Sequence, residues 1–265
     1  MVNRVAVFTA FLVMGVCCVV EASNLTSCEH GDLDANCTYT KQRTFDYMHF
    51  VQSWDGLFCD DGCCRLPATS SPVKLGFTVH GMWPEYNDGS FPSCCKSSFT
   101  SKLIDETLEK NSEIRTLLDQ YWPALKRCHF VRYETEKHGS CAASVYGETE
   151  SGLVNYWTAI VKLRAKWDFE RALESAGIVP SKSTQYSLKT IRSVLKEQVG
   201  YNVNVACDSG NLLQEIRVCV KRPTDARTLV NPEPFDCPVA ETSCREKVYL
   251  LPIPSIPSGG GCKVN

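Results

Sequence analysis

Sixteen cysteines in 265 residues constrain this chain more than any other feature. A reducing cytosol keeps thiols apart, and so dense a set reads as a disulfide framework made in an oxidising compartment. The length suits one large domain with a full core. Composition is that of an ordinary globular protein, at 43% hydrophobic and 22% charged residues. That argues against a disordered chain or a membrane bundle. A net charge of −2 lacks the broad basic field of a protein that coats nucleic acid. It leaves room for an enzyme that grips a polyanion briefly at one small site.

The N-terminus agrees with an oxidising route. Arg4 precedes an uncharged, mostly apolar run from Val5 to Val20, and Val20 and Ala22 suit a cut after Ala22. Residues 1–22 are therefore expected to be a signal peptide. Its removal takes Cys17 and Cys18 and leaves an even number of cysteines. The sequons at Asn24 and Asn36 are candidate glycosylation sites. Residues 23–44 read as an N-terminal extension that Cys28 and Cys37 could staple. Residues 251–265 form a Pro-, Gly- and Ser-rich tail, expected to be irregular and pinned by Cys262.

Between them lies a domain over 45–250. Phe45 to Trp54 is strand-like. Over Lys74 to His80, Leu75, Phe77 and Val79 alternate with Gly76, Thr78 and His80. Apolar residues recur at helical spacing over 101–119 and over 149–176, the latter stopping at Gly177 and Pro180. Ser187 should cap a helix ending near Gly200. Ile216, Val218 and Val220 alternate with Arg217 and Cys219 as a further strand. Strands first and last, with helices between, predict an α+β fold.

Five histidines are present, and two stand in unusual settings. In Phe77-Thr-Val-His80-Gly81-Met-Trp83-Pro84, a strand delivers an imidazole to its end, and Gly81 permits a sharp turn. In Tyr133-Glu134-Thr-Glu-Lys137-His138-Gly139-Ser-Cys141, helical spacing puts Glu134, Lys137 and His138 on one face. Alone, the first pattern also suits a structural histidine and the second a solvated helix face. Together they offer an acid, a base and a cation near neutral pH. That set suits phosphoryl transfer on RNA, whose 2′-hydroxyl is its own nucleophile. Paired CxxC motifs at zinc-finger spacing, HExxH, GxSxG and nucleotide-binding glycine loops are missing from the sequence.

These two segments, FTVHGMWP and YETEKHGSC, closely resemble the active-site motifs of the ribonuclease T2 family, FTIHGLWP and HEWEKHGTC. FDYMHFVQSW with FCDDGCC, and AGIVPS, resemble plant members. The resemblance spans roughly residues 44–250. It implies a single α+β domain with a central antiparallel sheet, packed helices and many disulfides. It implies a secreted or vacuolar glycoprotein that cleaves single-stranded RNA through a 2′,3′-cyclic phosphate with no metal or cofactor, and the chain is expected to be a monomer. By position His138 resembles the general base, His80 the general acid, and Glu134 and Lys137 the groups that stabilise the phosphorane. Tyr133, Trp83, Phe130 and Gln52 fall at substrate-binding positions, although Trp83 and Phe130 also suit a buried core. The family pattern implies the bridges Cys59–Cys63, Cys64–Cys128, Cys141 with Cys94 or Cys95, Cys207–Cys244 and Cys219–Cys237.

Three positions depart from the family. Tyr133 replaces a phosphate-binding histidine, and a phenol carries no positive charge. Thr135 replaces a tryptophan, with loss of bulk. Ser53 stands where plant members often have a second glutamine. The retained histidines favour an active enzyme; Tyr133 also accommodates an inactive storage or recognition protein.

Overall fold

The computed structural model describes residues 43–68, 72–126 and 128–258. The predicted signal peptide, the extension with Asn24, Asn36, Cys28 and Cys37, and Cys262 lie outside the described residues.

Four strands form an antiparallel sheet: β1 (Tyr47–Trp54), β2 (Phe77–Glu85), and, later in the chain, β4 (Asn204–Cys207) and β5 (Leu213–Lys221), in the order β2-β1-β5-β4. A short ribbon pairs β3 (Gln185–Ser187) with β6 (Lys247–Tyr249). The helices are α1 (Asp55–Phe58), α2 (Ser101–Lys110), α3 (Ser112–Tyr121), α4 (Phe130–Lys137), α5 (Ala143–Tyr146), α6 (Glu150–Lys166), α7 (Phe169–Ser175), α8 (Leu188–Val199) and α9 (Ala226–Val230). The α+β expectation holds.

Two expected helices are each divided. The 101–119 segment breaks at Asn111, whose side-chain amide donates to the Thr107 carbonyl and so satisfies the end of α2. The 149–176 segment breaks at Trp167 and Asp168. The Asp168 carboxylate accepts from the Arg171 amide and starts α7 as its N-cap. Ser187 caps α8 as expected, and Gly200 closes it in the left-handed conformation.

Strand periodicity sorts the sheet's faces. Cross-strand partners share a face. Met48, Phe50 and Gln52 lie opposite Val220, Val218 and Ile216, and this side packs on the helices. His49, Val51 and Ser53 lie opposite Cys219, Arg217 and Glu215 on the other side. That second side is where polar residues collect.

The β1–β2 register shifts between Val51 and Gln52, so Val51 opposes Gly81 while Gln52 opposes Val79. His80 is the residue left over, a β-bulge. The expected turn at Gly81 is not there; the strand runs on to Glu85. A bulge re-aims one side chain without ending the pairing, a device common beside active sites.

The disulfides correct two expected pairings. Cys59 joins Cys64, with Cα atoms 5.3 Å apart, instead of Cys63, so Cys64 does not join Cys128. The turn at Gly62, with φ of +76°, curls Cys64 rather than Cys63 back toward Cys59. Cys63, Cys94 and Cys128 are also disulfide-bonded. Cys95–Cys141, Cys207–Cys244 and Cys219–Cys237 form as the family pattern implies. From Leu251 to Ser258 the tail runs without helix or strand, and its carbonyls accept from Trp54 Nε1 (2.7 Å) and the Leu66 amide (2.9 Å).

One core group makes stability pH-dependent. Asp55 is fully buried and accepts from Thr78 Oγ1 (2.7 Å) and the Gly76 amide (3.0 Å). Burial outweighs these bonds and pushes its carboxyl from 3.8 up to about 7. The native state thus binds this proton more tightly than the unfolded chain. The contribution is complete below pH 3.8 and is lost as pH rises toward 7, about 4 kcal/mol in order of magnitude. In Asp55→Asn the new side-chain amide can accept from the Gly76 N–H and donate to Thr78, and it does not titrate. Thermal melts of this variant should therefore lose less stability than wild type between pH 4 and 7. Equal slopes would contradict this account.

Candidate active site

The bulge aims His80 across the sheet's polar face toward the end of α4. Glu134 is buried between two imidazoles: His80 Nε2 is 3.7 Å from its Oε1, and His138 Nε2 is 3.8 Å from its Oε2. Trp83 Nε1 donates to Glu134 Oε2 at 3.1 Å. The Trp83 ring stacks on His138, with centroids 4.9 Å apart at 29°, and meets His80 edge-on at the same separation. A Cβ at Gly81 would lie 2.4 Å from Trp83 Nε1 and 3.1 Å from Glu134 Oε2, so this position is glycine because the indole crosses it.

Helix α4 supplies Glu134 and Lys137, and His138 follows as its C-cap. The 94–95 loop clamps that end. The Cys94 amide donates to the Lys137 carbonyl (2.7 Å), the Cys95 amide donates to Ser140 Oγ (3.1 Å), and Cys95–Cys141 seals the contact.

The two histidines are biased in opposite directions. Burial, then the charges of Lys137 and His80, lowers His138 to about 3. Its Nδ1 is buried without a hydrogen-bond partner, so nothing at that nitrogen helps hold a positive charge on the ring. His80 is also opposed by burial, but the hydrogen bond and charge of Glu215, with Glu134 adding, raise it above 6.5. Burial raises Glu134 against the pull of His80 and Lys137. One imidazole is biased toward its neutral form and the other toward its charged form across a single carboxyl group.

Two clefts meet at this ridge. The first, about 410 Å³, is lined by His80, Trp83, Glu134, Lys137 and His138, with Phe91 and Arg217 on its walls. The second, about 330 Å³, shares His80, Glu134 and Lys137 and adds Phe58, Phe130 and Tyr133. The structure thus brings together every catalytic candidate, with Trp83, Phe130 and Tyr133 beside them. Gln52 is the exception. It is 0% exposed on the core face, opposite Ile216, and lines neither cleft. Strand alternation turns it toward the helices, which corrects its expected substrate contact.

The departures have structural answers. Trp157 of α6 donates from Nε1 to Thr135 Oγ1 at 3.1 Å, and both are fully buried. The bulk absent at Thr135 is supplied from the opposite side. Ser53 lies behind His80, its Oγ 3.2 Å from Nδ1. Lys137 Nζ donates to the Tyr133 hydroxyl at 3.3 Å.

Sequence reasoning missed Glu215, Arg217, Phe91 and His49. Glu215 and Arg217 hold the off-core positions of β5, a signal visible in its alternation. Phe91 lies in irregular chain, 54% exposed, and had no periodicity to reveal it. His49 pairs through Nδ1 with Glu85 at 3.1 Å. His49 also adjoins Cys219 and Cys237, but a disulfide offers a metal no thiolate.

Comparison with known proteins decides the family. The Ribonuclease T2 family model matches residues 45–237. This chain belongs to the ribonuclease T2 family. Ribonuclease 1 of Arabidopsis thaliana is 36% identical over 192 residues, covering 67% of this chain and 76% of that protein. Extracellular ribonuclease LE of Solanum lycopersicum is 33% identical, covering 67% and 77%. Among solved structures, RNase NT in complex with 5′-AMP superimposes with a TM-score of 0.62 at 27% identity, covering 79% of this chain and all of that one. As a plant-type T2 ribonuclease, the chain carries the two segments that resemble the family's active-site motifs on one bulged strand and one helix end.

Proposed function

We propose that this protein cleaves single-stranded RNA by transesterification, with His138 as general base and His80 as general acid. The observation that carries the reading is two imidazoles facing one buried carboxyl, 3.7 and 3.8 Å from its two oxygens, with their acidities pushed in opposite directions. His138 Nε2 takes the proton of the 2′-hydroxyl. The 2′-oxygen attacks phosphorus, and the bond to the 5′-oxygen breaks as His80 Nε2 hands that oxygen its proton. The products are a 2′,3′-cyclic phosphate and a free 5′-hydroxyl. Lys137 offsets charge on the phosphorane, and Glu134, between the two imidazoles, stabilises it with Lys137. Aromatic walls at Trp83 and Phe91 in one cleft, and at Phe130 and Tyr133 in the other, suit stacking of the flanking bases. The reaction needs no metal or cofactor, and the protein acts as a monomer. The cysteine framework and apolar leader support a route through the secretory pathway, to an extracellular or vacuolar destination. Among the described residues no helix is long and apolar enough to cross a membrane.

The test is cleavage in EDTA across pH 3 to 9, with single-stranded DNA as control. A base lowered to about 3 stays available in acid, and an acid raised above its ordinary 6.5 stays protonated to higher pH than a free histidine. Cleavage of RNA alone, flat through mildly acidic pH and falling on the alkaline side, is expected. Failure to cut RNA at any pH would overturn the reading.

Tyr133 tunes this rate. Its hydroxyl anchors Lys137 but adds no charge. Tyr133→His should raise kcat/KM about tenfold below pH 6, where a new imidazole is charged, in line with a hydrogen bond to a charged group. A loss of rate would mean that the phenol's hold on Lys137 matters more than a second cation.

A further inference from the structure

We infer that Glu215 is a positioning residue that fixes which nitrogen of His80 carries the transferable proton, and that Arg217 sets how much of its charge His80 feels. The inference rests on the reading of His80 as the acid.

Cross-strand pairing places Ser53 opposite Glu215, directly behind the bulge that presents His80. Glu215 Oε1 lies 2.6 Å from His80 Nδ1. Ser53 Oγ donates to the same oxygen at 3.4 Å. The other oxygen, Oε2, accepts two N–H bonds from Arg217, from Nε at 2.9 Å and Nη2 at 2.8 Å. The Glu215 side chain is 5% exposed and lines neither cleft. It does not reach a substrate, and its carboxylate is satisfied wholly from within the protein. A buried carboxylate persists only with such partners.

The chemistry follows from the acceptor. A carboxylate at Nδ1 takes a hydrogen bond only if Nδ1 carries hydrogen. The second proton of the imidazolium then sits on Nε2, which faces Glu134 and both clefts. When Nε2 gives up its proton, neutral His80 keeps Nδ1–H on Glu215, and the ring does not have to turn. Without Glu215 the Ser53 hydroxyl, 3.2 Å from Nδ1, can donate to or accept from that nitrogen, so the imidazole can adopt the other tautomer.

Arg217 works against this pull. It shares the Glu215 charge and stands as a cation behind His80. Its remaining bond, from Nη1 to Glu241 at 3.1 Å, ties it to the loop between Cys237 and Cys244. Disulfides fasten both ends of that loop to the sheet, at Cys219 and Cys207. The charged and titratable groups facing His80 are thus Glu215 and Arg217 from β5, Glu134, Lys137 and Tyr133 from α4, and His138 just beyond it. Of these, Glu215 is the one bonded to Nδ1.

Two variants should move His80 in opposite directions, which loss of packing would not do. NMR titration of the His80 ring, without RNA, should show Glu215→Gln lowered by about one pH unit or more and Arg217→Met raised. The alkaline limb of kcat/KM should move with each. Glu215→Gln should also lower kcat about 10–100-fold, as losing the partner that orients a functional histidine does, with KM within about threefold. If Glu215→Gln does not fold, the sign of the Arg217→Met shift decides. An unmoved His80 titration in Glu215→Gln, or shifts of one sign in both variants, would overturn the inference. A wild-type protein inert toward RNA would sink the ribonuclease reading instead, while the titration would still decide whether Glu215 governs His80.

Discussion

Replacing His138 with alanine is expected to lower kcat/KM on single-stranded RNA about 10²–10⁴-fold, the usual worth of a positioned general base. The residue is held rigidly, as a general base requires. Trp83 stacks on its ring, the backbone of the 94–95 loop clamps the turn that carries it, and its environment keeps it neutral down to about 3. His80→Ala should cost a similar factor. The double variant should lose little more than either single one, because acid and base serve one concerted transfer. Folding should survive the loss of His138, since its buried Nδ1 has no partner to strand. Circular dichroism with single-turnover kinetics checks both halves. Retained activity in His138→Ala would remove the base from the mechanism.

The second large effect is expected at a residue with no side chain. A methyl group at Gly81 would sit 2.4 Å from Trp83 Nε1, far inside contact distance. The strand cannot yield easily, because Gly81 pairs with Val51 in the sheet. The indole must therefore move, and with it the hydrogen bond to Glu134 and the face that packs His138. Gly81→Ala should lower kcat about 10²-fold, as a displacement near 1 Å at a reacting centre does. It should also destabilise the fold by about 1–3 kcal/mol. Adding Trp83→Phe, which removes the clashing nitrogen, should restore part of the stability but not the lost hydrogen bond. Wild-type kinetics in Gly81→Ala would show that the site tolerates a shifted indole.

Much of this was legible in the sequence, and the reason is local periodicity. The i, i+3, i+4 spacing of Glu134, Lys137 and His138 needs only one helical turn to become a cluster. Alternation in β5 already separated Ile216, Val218 and Val220 from Arg217 and Cys219. What escaped depends on registration between distant segments. The bulge at His80 is visible only once β1 is paired with β2, and a one-residue slip there changes which side chains face the site. Gln52 was misplaced for the same reason: alternation within one strand says which residues share a face, not which face meets the helices. Glu215 sits 135 positions from His80, and its role appears only when β5 lies against β1. Cys59 and Cys64 were mispaired because the choice among neighbouring cysteines rests on a turn at Gly62 that spacing does not encode.

In the proposed mechanism everything depends on His138 drawing a proton from the 2′-hydroxyl of RNA. The most direct measurement uses an oligodeoxynucleotide with a single ribonucleotide, cut in EDTA at pH 5, with the new ends identified by mass spectrometry. Scission only 3′ of the ribonucleotide, leaving a 2′,3′-cyclic phosphate and a 5′-hydroxyl, is the predicted result, abolished when that hydroxyl is methylated and when His138 is alanine. Cleavage that persists with the 2′-hydroxyl methylated, or that leaves a 5′-phosphate, would contradict it.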